Sequence, residues 1–397
     1  MMIDGEPDMV GNIIGWAHTP FGKLANDTLE SLITRVTVDA LAHAGLEALD
    51  VDEIVIGHFN QGLDPQGSPA SLVLQADPGL RYKPSTRVEN ACATGSAAVR
   101  QASSLIMSGQ AKVVLVVGVE KMTAVAEDVV RKALVSASYV AQEGGPEASF
   151  VGLFAGIAQQ YFARYGNQSL ALAHIAAKNH RNGSLNPLAH LRKNLDVEFC
   201  HQVSTGNPYV VAPLRRTDCS LVSDGAAALV LVSDDMAART ERVISIRALA
   251  QVNDYLPISR RDITRFEGAA KAWQAALGMA GLALDDLDFV ETHDCFTIAE
   301  LIEYEAMGLT PPGQGARAIL EGWTEPGGRL PVNLSGGLKA KGHPIGATGV
   351  SMHVMTAMQL AGESPGLQLA DTPRLGGIFN MGGAAVANYV SILERTR

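Results

Sequence analysis

Apolar residues recur along this chain in two rhythms, and the switch between them predicts the elements. Near-continuous apolar runs at Gly11–His18, Glu53–Phe59, Lys112–Val119 and Ala226–Val232 read as buried strands. After the first, an Asn-Asp-Thr cap near Asn26 opens a stretch with Leu29, Leu32, Ile33, Val36 and Leu41 at helical spacing, ending near Leu46. A second helix is expected from Cys92, with Ala97, Ala98, Ala102, Leu105 and Ile106 among its apolar positions and Ser108-Gly109 at its end. Strand and helix alternate with short links, which predicts a doubly wound α/β unit. From Lys121 to Arg216 the strand rhythm is lost, and helical segments at Leu153–Tyr165 and Leu170–Asn182 are joined by irregular polar loops.

The pattern then repeats. Leu41-Ala42-His43-Ala44-Gly45-Leu46 precedes the strand Glu53–Phe59, and Leu277-Gly278-Met279-Ala280-Gly281-Leu282 precedes the strand Phe289-Val290-Glu291-Thr292. Ala93-Thr94-Gly95 opens one helix and Ala347-Thr348-Gly349 another; each runs to a glycine and then an apolar strand, the second being Leu375–Phe379. The expectation is two α/β halves, residues 1–120 with 217–240 and residues 241–397, with residues 121–216 inserted into the first. Duplicated units of this kind bring their strand–helix junctions together at one end of the molecule, where α/β sheets place their sites.

Composition narrows the class. The 397 residues are 47% hydrophobic but only 5% aromatic, with 40 glycines, which suits closely packed helices on a sheet. A formal charge of −10 argues against nucleic acid or an anionic membrane as a partner. Met1–Asp8 is acidic and lacks the apolar core of a signal peptide, and the longest apolar runs are too short to span a bilayer. Cys92, Cys200, Cys219 and Cys295 show no Cys-x-x-Cys spacing, so neither a metal site nor a disulfide framework is indicated, and a cytoplasmic location is expected. Residues 121–216 carry ten Lys/Arg against six Asp/Glu, +4, which leaves −14 on the rest of the chain. A basic insertion on an acidic protein points to a polyanionic ligand.

The junctions hold the chemistry. Cys92, in the turn Val88-Glu89-Asn90-Ala91-Cys92-Ala93-Thr94-Gly95-Ser96, is expected in the first turn of its helix, where free N–H groups and the dipole favour a thiolate. His293-Asp294-Cys295-Phe296 ends one strand of the second half. Gly342-His343-Pro344 and Asn380-Met381-Gly382-Gly383 form two more junctions. Thiol catalysis needs a base, an acid and oxyanion donors converging on one carbon. His343 suits the base, Cys295 is a second titratable thiol, His293 is a polar donor, and Gly382 offers an unobstructed backbone N–H.

With these motifs the sequence resembles the thiolase superfamily (acetyl-CoA acetyltransferases and 3-ketoacyl-CoA thiolases) over essentially its whole length. The His293-Asp294-Cys295-Phe296 block resembles the sterol-carrier-protein-linked type. In most thiolases that block is Asn-Glu-Ala-Phe, and the acid/base cysteine lies in a C-terminal Cys-x-Gly loop. Here Asn380 replaces that cysteine, so the resemblance assigns its role to Cys295.

The fold implied is a duplicated α/β/α five-layered core with an inserted loop domain, usually a homodimer or homotetramer. The activity implied is acyl transfer between coenzyme A thioesters through a Cys92 acyl-enzyme, as in fatty acid β-oxidation or its Claisen reverse. His343 would deprotonate Cys92 and, with a water held by His293, stabilise the thioester oxygen. The N–H groups of Cys92 and Gly382 would hold the other oxyanion. The inserted domain would bind coenzyme A as substrate, with Ser220 at the pantetheine, and no permanently bound cofactor is implied. Two alternatives remain at this point. A thiolase-like protein with redirected or partner-dependent acyltransferase activity is one; a 3-oxoacyl-carrier-protein synthase, which has no use for Cys295, is the other.

Overall fold

A computed structural model describes residues 10–397. The acidic segment Met1–Asp8 lies outside the described residues. Eleven strands occur among them: β1 (Asn12–His18), β2 (Glu53–Gly57), β3 (Ser85–Val88), β4 (Val113–Glu120), β5 (Tyr209–Val211), β6 (Leu214–Arg215), β7 (Gly225–Val232), β8 (Ile244–Asn253), β9 (Phe289–Glu291), β10 (Leu375–Gly382) and β11 (Ala387–Arg395). Nine form one sheet in the order β3-β2-β4-β7-β1-β8-β11-β10-β9. The two halves of this order mirror each other about the β1/β8 contact, where Asn12 pairs with Ser245 and Ile13 with Ile244. In the second half an isolated bridge from Val290 to Val332 takes the place that β3 holds in the first. The duplication read from sequence is therefore a duplication of topology.

Each half is mixed, not doubly wound. β2, β3 and β4 run parallel, but β7 is antiparallel to both β4 and β1. In the second half β11 is antiparallel to both β10 and β8. An apolar run was predicted for β1, β2, β4, β7 and β10 but not for β3, β8 or β11; the direction of each depends on how the chain returns to the sheet.

Five layers follow from which side chains face where. Val113, Leu115, Val117 and Val119 of β4 pack with Leu29, Leu32, Ile33 and Val36 of the Leu29–Ala44 helix on the outer face. Val114 and Val116, on the other face, join the central core. That core is built around two helices, Thr94–Met107 and Ile345–Ala361, the second touching strands of both halves. The Glu267–Ala280 helix covers β8 and β11 from the far side. The Leu29–Ala44 helix starts where the sequence places its cap: Thr28 Oγ1 accepts the Ser31 N–H (3.0 Å), and Ser31 Oγ accepts the Thr28 N–H (3.0 Å).

The two central helices touch backbone to backbone. A Cβ on Gly95 would sit 2.5 Å from the Val350 nitrogen, and one on Gly349 would overlap the Ser96 nitrogen. This crossing is the physical meaning of the echoed Ala-Thr-Gly triplets.

The segment between β4 and β7 departs from expectation. It carries a two-stranded ribbon, β5 with β6, where no strand was predicted. Its two longest helices run Phe150–Tyr165, started three residues early by Ser149 accepting the Gly152 N–H (3.0 Å), and Ser169–Leu185. The second of these is buried against second-half elements, including the Thr297–Ala306 helix.

Two predictions follow from this packing. Gly349→Ala has no free space for its methyl, so stability should drop by about 1–3 kcal/mol or more, read as a lowered melting temperature; an unchanged melting point would mean the helices separate freely. Burial holds His180 to about 2, His343 to about 3 and His353 to about 4 in the folded chain, with Lys339 adding to the effect at His180 and Lys341 at His343. On unfolding each regains a value near 6.5. The unfolded chain then binds protons that the folded chain excludes, so stability is complete above about pH 6.5 and falls as pH drops. Each of these histidines contributes a slope of about 1.4 kcal/mol per pH unit. Urea midpoints should decline steeply between about pH 6.5 and 4; midpoints equal at pH 7 and pH 5 would contradict the account.

Candidate active site

Cys92 stands just before Ala93, the N-cap of the Thr94–Met107 helix, and not in the first helical turn. Ala91 is left-handed (φ 49°), at a cost of about 1–2 kcal/mol. The turn is closed by the Ala93 N–H donating to Asn90 O (3.1 Å) and the Thr94 N–H donating to Ala91 O (3.0 Å). Thr94 Oγ1 accepts the Asn90 N–H (2.9 Å) and donates to Ala91 O (2.6 Å). A locally strained turn thus presents the sulfur, as expected of a position whose geometry is held from several sides.

His343 follows Gly342, whose φ of 113° ends the short Gly337–Lys341 helix, and precedes Pro344, the N-cap of the Ile345–Ala361 helix. Thr348 Oγ1 donates to Pro344 O (2.9 Å) and lies 2.7 Å from His343 Nδ1, so its lone pair accepts Nδ1–H. His343 Nε2 is then a bare lone pair, with no hydrogen-bond partner among the described residues.

His293 comes from the loop after β9. Its Nδ1 is 2.8 Å from Asn380 Nδ2, which also donates to Cys92 O (3.2 Å). Its Nε2 has no partner either. The two imidazoles meet edge-on, centroids 5.1 Å apart at 87°. One nitrogen of each and the Cys92 sulfur all lie within 4.8 Å of one another.

Asp294 and Cys295 face different ways. The Asp294 carboxylate accepts the Leu338 N–H (2.6 Å), the Lys339 N–H (3.1 Å) and Asn179 Nδ2 (2.7 Å). It thereby ties the His293 loop to the segment that leads into His343. Cys295 lines a cavity of about 380 Å³ together with Cys92, His343, Phe296 and Ser220. Ser220 N–H donates to Cys295 O (2.9 Å), which sets the Ser220 segment beside the second thiol. Gly382 lies against Asn90 O too closely for a side chain, and the backbone N–H that reaches the Cys92 thiol belongs to Gly383.

Burial governs the electrostatics. It pushes the Cys92 thiol up to about 12, against the Gly383 N–H, while Glu89 and Glu120 push the same way as burial. It lowers His343 to about 3, with help from Lys341, and holds His293 well below its ordinary range. The resting pair is thus thiol and neutral imidazole, not the thiolate that a helix N-terminus suggests. Cys295 is also held as a thiol, raised well above its ordinary value by burial and then by Cys92.

The basic insertion reads differently in three dimensions. Lys121, Lys178 and Arg215 are buried in ion pairs with Asp224 (2.6 Å), Glu300 (2.6 Å) and Asp218 (2.9 Å), acids outside residues 121–216. With the more exposed pairs Arg164–Asp262 (2.6 Å) and Arg181–Glu325, five acids outside the segment meet its basic residues, more than its four excess charges. Among the described residues Arg131 is the one Lys or Arg on the cavity wall.

Sequence reasoning did not single out the supporting residues. Lys178 and Asn182 on a buried helix and Asn186 just past its end recur every fourth position, a polar line that was visible in the sequence. Lys178 Nζ donates to Glu300 and to Val332 O (2.9 Å), Asn182 to Asn333 O (3.1 Å), and Asn186 to Ser335 O (2.9 Å).

Comparison with known proteins identifies the family. The family model described as "Thiolase, N-terminal domain" matches residues 12–200, and "Thiolase C-terminal domain-like" matches residues 250–395. An acetyl-CoA acetyltransferase of Methanothermobacter thermautotrophicus is 37% identical over 385 residues, covering 96% of this chain and 99% of its own. Sterol carrier protein 2 of Bos taurus is 31% identical over 94% of this chain and 70% of its own. Among solved structures, one titled "Ltp2-ChsH2(DUF35) aldolase" superposes with a TM-score of 0.82 at 23% identity, covering 98% of this chain and 99% of its own. An acetyl-CoA acetyltransferase from Syntrophomonas wolfei superposes at 0.68 with 19% identity over 98% of this chain and 100% of its own. The chain belongs to the thiolase family.

Proposed function

We propose that the chain is an acyl-CoA C-acyltransferase that cleaves 3-oxoacyl-CoA with coenzyme A, or runs the reverse condensation, through an acyl group carried on Cys92. The observation that carries this reading is the buried meeting of Cys92, His293 and His343, with Cys295 on the same cavity wall. In cleavage, His343 Nε2 takes the Cys92 proton as the sulfur attacks the keto carbon. The bond between that carbon and the α-carbon breaks, its electron pair leaves as the acetyl-CoA enolate, and Cys295 protonates the enolate carbon. Coenzyme A then attacks the Cys92 thioester and releases the shortened acyl-CoA. The N–H groups of Cys92 and of Gly383, which in place of Gly382 reaches the Cys92 thiol, hold the oxyanion on the acyl carbon, and His343 and His293 face the thioester oxygen. Because thioester is exchanged for thioester, both directions stay accessible.

The same reading places the pantetheine along Ser220 and the apolar cavity wall of Met122, Val130, Leu134 and Phe150. It includes a cytoplasmic setting, consistent with four free cysteines, and a homodimer or homotetramer. Supporting the latter, β3 ends the sheet with an open edge on which Thr86 and Arg87 are exposed. Among the described residues no helix is long and apolar enough to cross a membrane.

Cys92→Ala should abolish turnover and the covalent acyl label detected by mass spectrometry; an adduct on Cys200 or Cys219 in the wild type would overturn the assignment. Cys295→Ala should still acylate at Cys92 but lose proton exchange at the acetyl-CoA methyl group by a factor of about 10²–10⁴. Deuterium wash-in followed by NMR reads this directly, and exchange at the wild-type rate would mean the proton moves by another group.

A further inference from the structure

We propose that Asn380 is a positioning residue: it locks His293 as the Nε2–H tautomer, making His293 a direct hydrogen-bond donor to the substrate thioester oxygen and preventing the Cys92–His293–His343 triplet from ligating a divalent metal. The inference rests on the proposed thiolase reading for its catalytic arm, though not for its tautomer and metal arms.

The orientation of the Asn380 amide is over-determined. Its side chain is fully buried and meets three groups: Cys92 O (3.2 Å), His293 Nδ1 (2.8 Å) and Ser96 Oγ (2.8 Å). A carbonyl oxygen can only accept, so the NH₂ end must face Cys92 O. Ser96, whose hydroxyl can donate, is left to Oδ1. The second amide hydrogen then points at His293 Nδ1, which has to be a bare lone pair. Burial keeps His293 neutral, so its single proton resides on Nε2.

The two active-site histidines are therefore opposite in kind. Thr348 leaves His343 with a lone pair at Nε2, and Asn380 leaves His293 with a hydrogen there. Both Nε2 atoms are buried and without a protein partner. An unpartnered buried donor is costly unless a ligand meets it. One site thus receives the Cys92 proton while the other is aimed at an oxygen on which negative charge grows as the enolate forms.

The same tautomer has a second consequence. A thiolate and two imidazoles within 4.8 Å is a fair set of ligands for zinc. Ligation through His293 Nε2 would require the proton on Nδ1, directly against the Asn380 NH₂. An acceptor at that position would do the reverse, as carboxylates do behind metal-bound histidines. Asn380 therefore disarms a metal trap made of the catalytic groups.

The isosteric Asn380→Asp variant separates these statements. In wild-type protein with ¹⁵N-labelled histidine, assigned by the spectrum of His293→Gln, His293 should show a protonated Nε2 and a bare Nδ1 at pH 7. In N380D the proton should move to Nδ1. Its kcat should fall by about 10²–10³, the loss of one oxyanion donor, with little change in KM. It should also bind one Co²⁺ per chain with thiolate-to-metal absorption, where wild type shows none. Asn380→Ala, which supplies neither donor nor acceptor, should lose kcat without gaining the cobalt band, and it decides the matter if N380D does not fold.

A wild-type His293 protonated on Nδ1, or an N380D enzyme with unchanged kcat, would overturn the proposal while leaving the Cys92 acyl-enzyme intact. If no variant and no wild-type preparation turns over acyl-CoA, the function reading fails, and the tautomer and cobalt measurements still judge this one.

Discussion

The contact between Gly95 and Gly349 is the constraint on which the rest of the site depends. Two helices from the two halves cross with no side chain between them, and each begins at a turn of the candidate active site. The close crossing is what sets Cys92, just before one helix, beside His343, just before the other. Any Cβ at either glycine would push both helices apart and with them the two turns. A close-packed interior does not absorb such a shift locally, so the fold and the geometry of the thiol–imidazole pair are held by the same contact.

Around that crossing the protein spends buried polar groups on alignment. Asp294 caps the segment that leads to His343 and is met by Asn179. Glu300 accepts from Lys178, Asn179 and Asn333. Taking such groups out of water costs several kcal/mol per charge, and good geometry does little more than offset it. Replacing this network by apolar side chains would fill the space equally well but would fix no loop. Because Lys178 and Asn179 belong to the inserted segment, the insertion is a strut between the halves as well as a cavity wall. Its apparent positive charge is largely consumed in doing this.

Desolvation sets the chemistry of the site. A thiol raised to about 12 and an imidazole lowered to about 3 are both neutral at rest. An ion pair would need solvation that the cavity does not offer. In the proposed reaction proton transfer therefore accompanies attack, and the oxygen that becomes negative must find donors already in place. The neutral His293, oriented by Asn380, is such a donor, and its environment requires no reorganisation as charge develops.

Much of this was legible in the chain. Apolar periodicity placed six of the eleven strands and most of the long helices to within a few residues, the echoed triplets announced the duplication, and Cys92, His293, Cys295 and His343 stood out as candidate reactive residues at strand–helix junctions. These are local properties: spacing, residue type and order determine them. The antiparallel strands, the displacement of Cys92 to a turn before its helix, the protonated state of its sulfur and the inward turn of Lys178 were decided only by tertiary structure. So was Asn380, which in the sequence reads as a missing cysteine and in the fold becomes the link between the nucleophile's carbonyl and a histidine's proton. The reason is physical. Desolvation, tautomer choice and ion pairing depend on which groups lie within about 3–4 Å through space, and residues 92, 293 and 380 become neighbours only when the two halves close on each other.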